Sequence, residues 1–463
     1  MADRKTDDVR FVHPEYTKYF NQMSITRDVF DGVDTTAKYI YRLQREGEDS
    51  FINRVRNITL KNFIKRATEA FVGMIFRKQI EVTGFDDVMM DIFGKVDKRN
   101  NLNIFAREVT TNLIVDGKVF IALDTDLEGR SDPYAIAYNR SQIINWRKNA
   151  NDEYTMVVVK EILAEESGEF GSSYVNQYRV YKEDGNVDIY RESNGETYLY
   201  LTIETEYDYI PLVAIELSDI PPLYDIAKLT IKHTNRTSIK DKYLDMCATP
   251  IPIVWSPDID SEEDPTQAVY VIGADEGFVF NGSKDECDFE WRELAGTSID
   301  KLQEDLNVIE EDITTGVIRA STSDNTTIKT ATQAYYEASE SANRVVVIAN
   351  AVELGLNKAI RILADLANIE LNVEARAIIN KDFNAIQGNS DSVRLLWEVF
   401  LQGGLSTETF LDSLSKFELI DIGSVRDELI RIQTDDFKLE PRVNDNSVNN
   451  NMDNRTVSAL NQE

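Results

Sequence analysis

The first hundred or so residues carry apolar side chains at helical spacing. Between residues 51 and 74 the apolar positions recur every three or four residues, or one beyond, while basic and amide residues fill the other faces. Similar spacing is found in the flanking segments. The pattern predicts helices over residues 14–46, 50–78 and 87–115.

Between residues 118 and 220 the apolar positions alternate with period two, which is typical of strands with one buried face. Turn clusters such as Glu183-Asp184-Gly185-Asn186 separate the alternating segments. Asp116-Gly117 is predicted to be a hairpin turn between two apolar strands, because Asp-Gly favours that turn. The pattern therefore predicts an antiparallel β region with strands over 118–123, 134–138, 154–163, 174–181, 187–191, 198–204 and 212–216.

The helical period returns after Pro221-Pro222 and continues to about residue 246. Four basic residues spaced four apart form one slowly drifting stripe on this helix: Lys228, Lys232, Arg236 and Lys240. Strands are predicted over 251–255, 269–272, 277–280 and 287–294, and a further helix over 297–313. Asp300, Glu304 and Asp312 lie near one face of that helix and form an acidic counterpart to the basic stripe.

The last third of the chain begins with a segment that has no period. Residues 314–330 are small, polar and rich in threonine, and loops of this length inside a globular chain are usually functional or disordered. A very long helix is predicted over 331–368, followed by an extended link and two or three short helices over 390–433. Residues 441–463 are rich in asparagine and poor in apolar side chains, which predicts a disordered tail.

Composition changes this picture mainly through charge. The chain has 463 residues, 42% of them hydrophobic, and a formal net charge of −31 with a pI near 4.5. Residues 249–313 alone hold 3 basic and 18 acidic residues. Such a surface repels nucleic acid at long range, which argues against DNA binding through a basic patch. With two cysteines, no apolar N-terminal core and no apolar run long enough to span a bilayer, a secreted disulfide protein and an integral membrane protein are not expected.

The sequence offers little catalytic chemistry. His13 and His233 are the two histidines, and both are expected at the surface, so a Ser-His-Asp triad or a histidine-rich metal site is hard to assemble. Cys247 and Cys287 lie 40 residues apart without a CxxC spacing, and a half-buried thiol is expected for Cys247. No Walker or GxGxxG loop occurs. No catalytic residue, cofactor or metal is assigned, and the chain is not predicted to be an enzyme.

One acidic segment resembles a calcium loop at first sight. It comprises Asp258, Asp260, Glu262, Glu263 and Asp264. Glu263 stands where an EF-hand has its glycine, and Val269 stands where it has its bidentate glutamate. A solvated acidic loop is therefore favoured.

The order of these elements resembles the portal protein of tailed double-stranded DNA bacteriophages. The resemblance spans about residues 11–435 and rests on several local segments. FINRVRNITLKNFIKRATEAFVGMIFRKQI (51–80) and DGKVFIALD (116–124) resemble the early portal helix and the hairpin that opens the portal β region. GTSIDKLQEDLNVIEEDI (296–313) and TATQAYYEASESANRVVVIANAVELGLNKAI (330–360) resemble the portal helices that flank the internal loop, and LLWEVFLQGGLSTETFLDSL (395–414) resembles a helical segment near the portal C-terminus.

This resemblance implies an α+β, portal-like fold with named parts. The wing would comprise residues 1–221, with helices followed by the β region, and the long wing helix 331–372. The stem would comprise helices 222–248 and 297–313, with a small α/β clip over 249–296 between them. The tunnel loop would be 314–330, the helical crown 373–435, and the disordered tail 436–463.

The resemblance also implies a function and partners. Portals are closed rings, usually dodecamers, at one capsid vertex of the virion, and they assemble in the bacterial host cytoplasm with major capsid and scaffold proteins. They dock the terminase large subunit during packaging and later the head–tail adaptor. Double-stranded DNA passes through the channel without sequence-specific contacts, and neither a membrane nor a cofactor is involved.

Residue roles follow from this assignment. The tunnel-loop residues expected at the DNA channel are Arg319, Ser321, Thr322, Ser323, Asn325, Thr326 and Lys329. The basic stripe and the acidic residues Asp300, Glu304 and Asp312 are expected to meet between subunits. The acidic clip segment is expected to face a basic partner, and an acidic lining would let DNA pass without gripping it.

Two other classes of protein remain open at this point. One is another tail or baseplate structural protein with a similar order of helices and sheets. The other is an acidic-cleft glycoside hydrolase, which would need two carboxylates about 5–9.5 Å apart in a cleft. With 81 acidic residues in the chain, the sequence singles out no such pair.

Overall fold

The computed structural model has an α+β fold that divides into two compact units, Met1–Phe383 and Asn384–Glu463. The structure describes residues 7–44, 46–125, 133–167, 170–205, 207–248, 251–255, 288–292, 297–314, 331–381, 390–401, 404–416 and 429–430.

The N-terminal helices are shorter than the apolar spacing predicts. They are α1 (Pro14–Asp31), α2 (Val33–Thr36), a 3-10 turn (Ala37–Tyr39), α3 (Glu48–Arg56), α4 (Phe63–Ile75), α5 (Asp87–Gly94) and α6 (Leu102–Asp116). The predicted helices 14–46, 50–78 and 87–115 are therefore each interrupted. The later starts have a local cause, because Asn62, Asp86 and Asn101 each accept a hydrogen bond from the backbone N–H three residues on. Such side chains satisfy the free N–H groups of a first turn and so fix where a helix begins.

The junction after α6 corrects the predicted hairpin at Asp116-Gly117. Asp116 is the last residue of α6, and Gly117 caps that helix with φ +78°, its N–H donating to the Leu113 carbonyl at 2.9 Å. Glycine adopts this left-handed conformation without steric cost, and it is the usual residue just beyond a helix end. The Asp-Gly pair thus connects a helix to a strand rather than two strands.

Two antiparallel sheets form the β region. The smaller has the order β3 (Tyr134–Asn139), β2 (Lys118–Asp124), β9 (Leu212–Glu216). The larger is a five-stranded meander of β4 (Ile143–Lys148), β5 (Tyr154–Ser167), β6 (Gly171–Lys182), β7 (Val187–Ser193) and β8 (Glu196–Ile203). All seven predicted strands are found near their expected positions. β4 was not predicted, and neither was the pair of β1 (Glu81–Thr83) with β12 (Arg376–Ile378).

The main core lies where the helices meet the small sheet. The long helix α9 (Ala331–Leu366) covers ~54 Å at 1.5 Å per residue and contributes Val352, Leu356 and Ile360 to this core. Phe105, Val109 and the β2 side chains pack there as well. A separate apolar cluster fills the space between the two sheets, and a third lies under the N-terminal segment on the large sheet.

In chain order, a pair of helices follows the two sheets and precedes α9. α7 (Tyr224–Ala248) leads into β10 (Ile251–Trp255), which pairs antiparallel with β11 (Asp288–Arg292), and β11 leads into α8 (Thr297–Ile313). The predicted strands 251–255 and 287–294 are both found, and the structure describes the second over Asp288–Arg292. The predicted strands 269–272 and 277–280 lie outside the described residues.

The second unit contains the helices α10 (Ser390–Leu401) and α11 (Thr407–Lys416). Their aromatic side chains pack together, with Phe400 stacked on Phe410 at 4.2 Å and Trp397 tilted against Phe410 at 5.5 Å. Across the part of the chain that the structure describes, no helix combines the length and apolar character that a membrane crossing requires.

Candidate functional site

The helix pair α7/α8 holds all the sequence-predicted stem residues, so it is the candidate site that the structure describes. Three side-chain contacts fix its geometry. Lys240 Nζ donates to Gln303 Oε1 at 3.1 Å, Arg236 Nε to Asp305 Oδ2 at 3.0 Å, and His233 Nε2 lies 2.8 Å from Glu310 Oε1. As the α7 number falls the α8 number rises, so the helices are antiparallel. Leu306, Ile309 and Ile313 form the buried seam of α8.

His233 is buried, which corrects the expectation that both histidines lie at the surface. Only 2% of it is exposed, and its ring meets Phe63 edge-on at 5.3 Å between centroids. Glu310 also accepts from Lys61 Nζ at 2.6 Å. Burial lowers the pKa of His233 below its usual range, although Glu310 acts in the opposite direction. A neutral imidazole that donates to the Glu310 carboxylate therefore fits this site.

Glu310 is held as a carboxylate by the same contacts. Burial acts to raise its pKa, but the hydrogen bonds from Lys61 and His233 outweigh that effect and the pKa is lowered. One carboxylate thus connects α8 to α7 and to Lys61, two residues before α4.

The opposite side of α7 packs through buried polar groups. Asn235 accepts from the Tyr41 N–H at 3.2 Å and donates to the Tyr39 and Ile231 carbonyls. The hydroxyls of Thr230 and Thr234 donate hydrogen bonds to backbone carbonyls one turn earlier on the same helix. These bonds satisfy groups that would be costly to bury unpaired.

A buried ion cluster connects α3 to α7. Glu46 has a nearly inaccessible side chain and accepts two hydrogen bonds from Arg54 at 2.9 Å and one from Lys242 at 2.8 Å. The hydrogen bonds from Arg54 and Lys242 hold the pKa of Glu46 well below its usual range. Arg54 also donates to Ser238 Oγ on α7 at 2.9 Å.

The structure separates the sequence-predicted stem residues into two groups. Arg236 and Lys240 are half-buried and engaged with α8, whereas Lys228 and Lys232 are exposed. The acidic residues Asp300, Glu304 and Asp312 are also exposed. Within the described residues, no ion pair joins these three to the basic stripe.

The α8 partners within the chain are instead Gln303, Asp305 and Glu310, which the sequence analysis did not single out. Their position next to the apolar residues of α8 could have identified two of them from the sequence. Asp305 and Glu310 directly flank Leu306 and Ile309, the apolar residues that face the rest of the fold.

Two buried carboxylates outside the helix pair, Asp116 and Asp124, have shifted pKa values. Burial raises the pKa of Asp116 and of Asp124, and the arginines that pair with them act in the opposite direction. Asp116 pairs with Arg27, and Asp124 pairs with Arg179 at 2.5 Å. Each carboxylate neutralises a neighbouring guanidinium, which indicates a structural role for both.

A cleft between the two sheets carries mixed charge. It is lined by Lys118, Trp146, Tyr154 and Glu216 among others, and Lys118 is bound to Glu216 at 2.9 Å and to Asp219 at 2.8 Å. No group of three or more histidine, cysteine or acidic side chains able to hold a metal occurs among the residues described here. Cys247 is a free, half-buried thiol, as expected.

Two sets of predicted site residues lie outside the described residues. They are the tunnel-loop set Arg319, Ser321, Thr322, Ser323, Asn325, Thr326 and Lys329, and the clip set Asp258, Asp260, Glu262, Glu263 and Asp264. Their assignments stay predictions.

Solved structures similar to this chain include chains from gene transfer agent particles and a phage portal protein. A chain from the virion of a native gene transfer agent (GTA) particle is 12% identical, with 81% of this chain and 96% of that chain covered and a TM-score of 0.44. A chain from the neck of a native GTA particle with C12 symmetry is 12% identical, with 76% and 89% covered and a TM-score of 0.43. An HK97-family phage portal protein from Corynebacterium diphtheriae is 13% identical, with 69% and 92% covered and a TM-score of 0.34.

Neck and portal chains are thus among the structures that this chain resembles. No curated protein matches it. Residues 222–367, which contain α7, α8 and α9, match the family model described as a domain of unknown function, DUF4055.

Proposed function

We propose that this chain is the structural subunit of a portal ring at one vertex of a tailed-phage-type capsid. The ring forms the channel for DNA packaging and ejection. It docks the terminase large subunit first and the head–tail adaptor later, and it contacts the major capsid and scaffold proteins. It acts in the virion after assembly in the bacterial cytoplasm, and it has no catalytic function.

The observation that carries this proposal is the connection between α7 and α8. Within the described residues, the chain leaves one helix and returns to the other through β10 and β11, which pair antiparallel with Ile251 opposite Arg292 and Trp255 opposite Asp288. An antiparallel helix pair connected at one end through paired strands agrees with the order of stem, clip and stem that the sequence resemblance implies. The assignment of residues 222–248 and 297–313 to the stem, and of 249–296 to the clip, rests on this order.

The remaining parts follow from the same assignment. Residues 1–221 and 331–372 form the wing, 373–435 the crown and 436–463 the tail. The acidic clip residues give a partner with a basic surface a complementary target. The segment 314–330 is proposed as the tunnel loop at the channel, a proposal supported by its position in the chain between the end of α8 at Ile313 and the start of α9 at Ala331.

The tunnel loop is proposed to make weak, exchangeable contacts with passing DNA. Its serine and threonine hydroxyls can contact phosphates without holding them, and its two cations, Arg319 and Lys329, are ten residues apart. Deleting residues 321–326 should leave rings intact and lower the amount of DNA packaged or retained in heads. Normal packaging and retention would remove the loop from the mechanism.

Imaging of the purified protein by negative stain tests the proposal as a whole. A ring with a central hole and about twelvefold symmetry is the expected result. A ring or fibre of another symmetry would favour a different tail or baseplate component. A stable monomer that cleaves a polysaccharide would favour the glycoside hydrolase and overturn the portal assignment.

A further inference from the structure

The exposed charges of the helix pair form two surfaces of opposite sign. The basic outer pair consists of Lys228 and Lys232 on α7, both exposed. The acidic outer face consists of Asp300, Glu304 and Glu311 on α8, also exposed. The structure shows no ion pair for any of these five within the described residues.

The acidic outer face points away from α7. Its members lie at spacings of four and seven residues, so they share one side of α8. That side is opposite the buried seam of Leu306, Ile309 and Ile313. Val308, 56% exposed, sits between Glu304 and Glu311 on the same face. A single chain therefore cannot bring its own basic outer pair against this surface.

We infer that a second copy of this chain covers the acidic outer face, with Lys232 of one copy against Glu311 of the next. This inference rests on the proposed ring. Each chain carries both halves of the contact on different surfaces, and such a head-to-tail contact closes into a ring when the rotation between copies allows it. Charge complementarity, rather than an apolar patch, identifies the occupant.

The register of the helix pair selects the partners. Because His233 meets Glu310 in an antiparallel pair, Lys232 lies at the height of Glu311. Glu304 is seven residues away from Glu311, or ~10 Å along the helix, and lies nearer the height of Ile239. In a ring whose helix pairs run along the axis, residues of neighbouring subunits that lie at the same height along the axis face each other. Lys232 should therefore face Glu311 rather than Glu304, which is one of the three acidic residues that the sequence pattern assigned to this contact.

Charge reversal tests the pairing. Lys232→Glu and Glu311→Lys should each shift the full-length protein from ring to monomer at low salt, and the double variant should restore the ring. Combining Lys232→Glu with Glu304→Lys is the matched control, because it has the same charges on the same two faces at the wrong height. This control variant should form fewer rings than the variant that combines Lys232→Glu with Glu311→Lys. Circular dichroism and native mass spectrometry follow folding and assembly in every variant.

Cross-linking tests the head-to-tail geometry. In a background with Cys247→Ser and Cys287→Ser, the variant with Lys232→Cys and Glu311→Cys should give a ladder of covalent oligomers with a short bis-maleimide. Each single-cysteine variant should give none. Assembled rings that show no ladder, or that respond equally to all charge reversals, would overturn this inference and leave the portal proposal standing. A wild-type protein that forms no ring would overturn both.

Discussion

Gly117 is a residue whose missing side chain decides how a helix joins a strand. With φ at +78°, any Cβ there would lie 2.7 Å from the Ser218 carbonyl oxygen. The Gly117 carbonyl also accepts from the Leu217 N–H at 2.8 Å, so the backbone has little freedom to withdraw. Gly117→Ala should therefore destabilise the protein by more than the conformational cost of the left-handed region, about 1–2 kcal/mol.

Gly195→Ala provides the matched comparison for this prediction. Gly195 has φ +82° in the turn between β7 and β8, and nothing lies within 4 Å of its Cβ position. That variant isolates the conformational cost. Urea unfolding of both variants should place Gly117→Ala clearly below Gly195→Ala in free energy of unfolding. Equal losses would mean that the close approach to Ser218 contributes nothing.

His233 makes stability depend on pH in a defined direction. Burial lowers its pKa in the folded state, so the unfolded chain binds more protons as the pH falls through 6.5, the ordinary value for histidine. The free energy of unfolding should therefore fall between pH 7.5 and 5.5. His233→Gln keeps a donor for Glu310 and removes the titrating group, so its stability should fall less over this range.

His13→Gln is the control for that experiment. His13 is only half-buried, stacked on Trp146 at 4.1 Å, and accepts from the Glu15 N–H at 3.2 Å. Carboxylates elsewhere titrate alike in all three proteins, so the difference between slopes reports the histidines. If His233→Gln keeps the full wild-type slope, the buried imidazole is not the source of the pH dependence.

At the scale of elements, one glycine lets α9 approach the small sheet. A Cβ on Gly355 would lie 2.3 Å from Cδ1 of Ile215, a buried residue of β9. Exchanging glycine for alanine inside a helix normally stabilises by about 0.5–1 kcal/mol. Gly355→Ala should instead destabilise by about 1–3 kcal/mol, because a tightly packed core does not accept the extra methyl group.

Gly73→Ala shows the normal effect in the same protein. Gly73 is an exposed residue of α4 with nothing within 4 Å of its Cβ position. Thermal or urea unfolding should therefore show changes of opposite sign for the two helical glycines. A stabilising Gly355→Ala would show that Ile215 can move aside and that the close packing of α9 on β9 is unnecessary.

The sequence predicted strands better than helix ends, for physical reasons. The strands around Val157 and Tyr181 could be predicted from runs of β-branched and aromatic residues between turn clusters, although both of their faces are buried there, one between the sheets and the other under the N-terminal segment. Helix boundaries depend on single side chains such as Asn62 and Asn101, which read as polar positions in a continuing pattern. β1 and β12 have three residues each and pair over almost three hundred positions of sequence, so no local pattern could reveal them.

At the scale of the molecule, the two helices of the candidate site were predicted, but the contacts between them within the chain were not. Helix periodicity placed the basic stripe on α7, and the stripe is there. Its rotation relative to α8 depends on packing against α1, α3 and α4, which no local spacing contains. As a result Arg236 pairs with Asp305, and buried His233 contacts Glu310, while Glu304 remains exposed.

The charge of the assembled protein leads to a last prediction, about DNA. Each chain carries a formal net charge of −31, and two of the cations on α7 are already engaged, Arg236 with Asp305 and Lys242 with Glu46. Tight phosphate binding needs clustered free cations, and its affinity falls steeply with salt. Assembled rings should therefore not retard a linear duplex in gel electrophoresis at physiological salt. Fluorescence anisotropy of labelled duplex across a salt series would detect DNA binding if it occurred. Binding that weakens steeply with added salt would require a basic channel surface, and it would contradict an acidic channel that does not hold DNA.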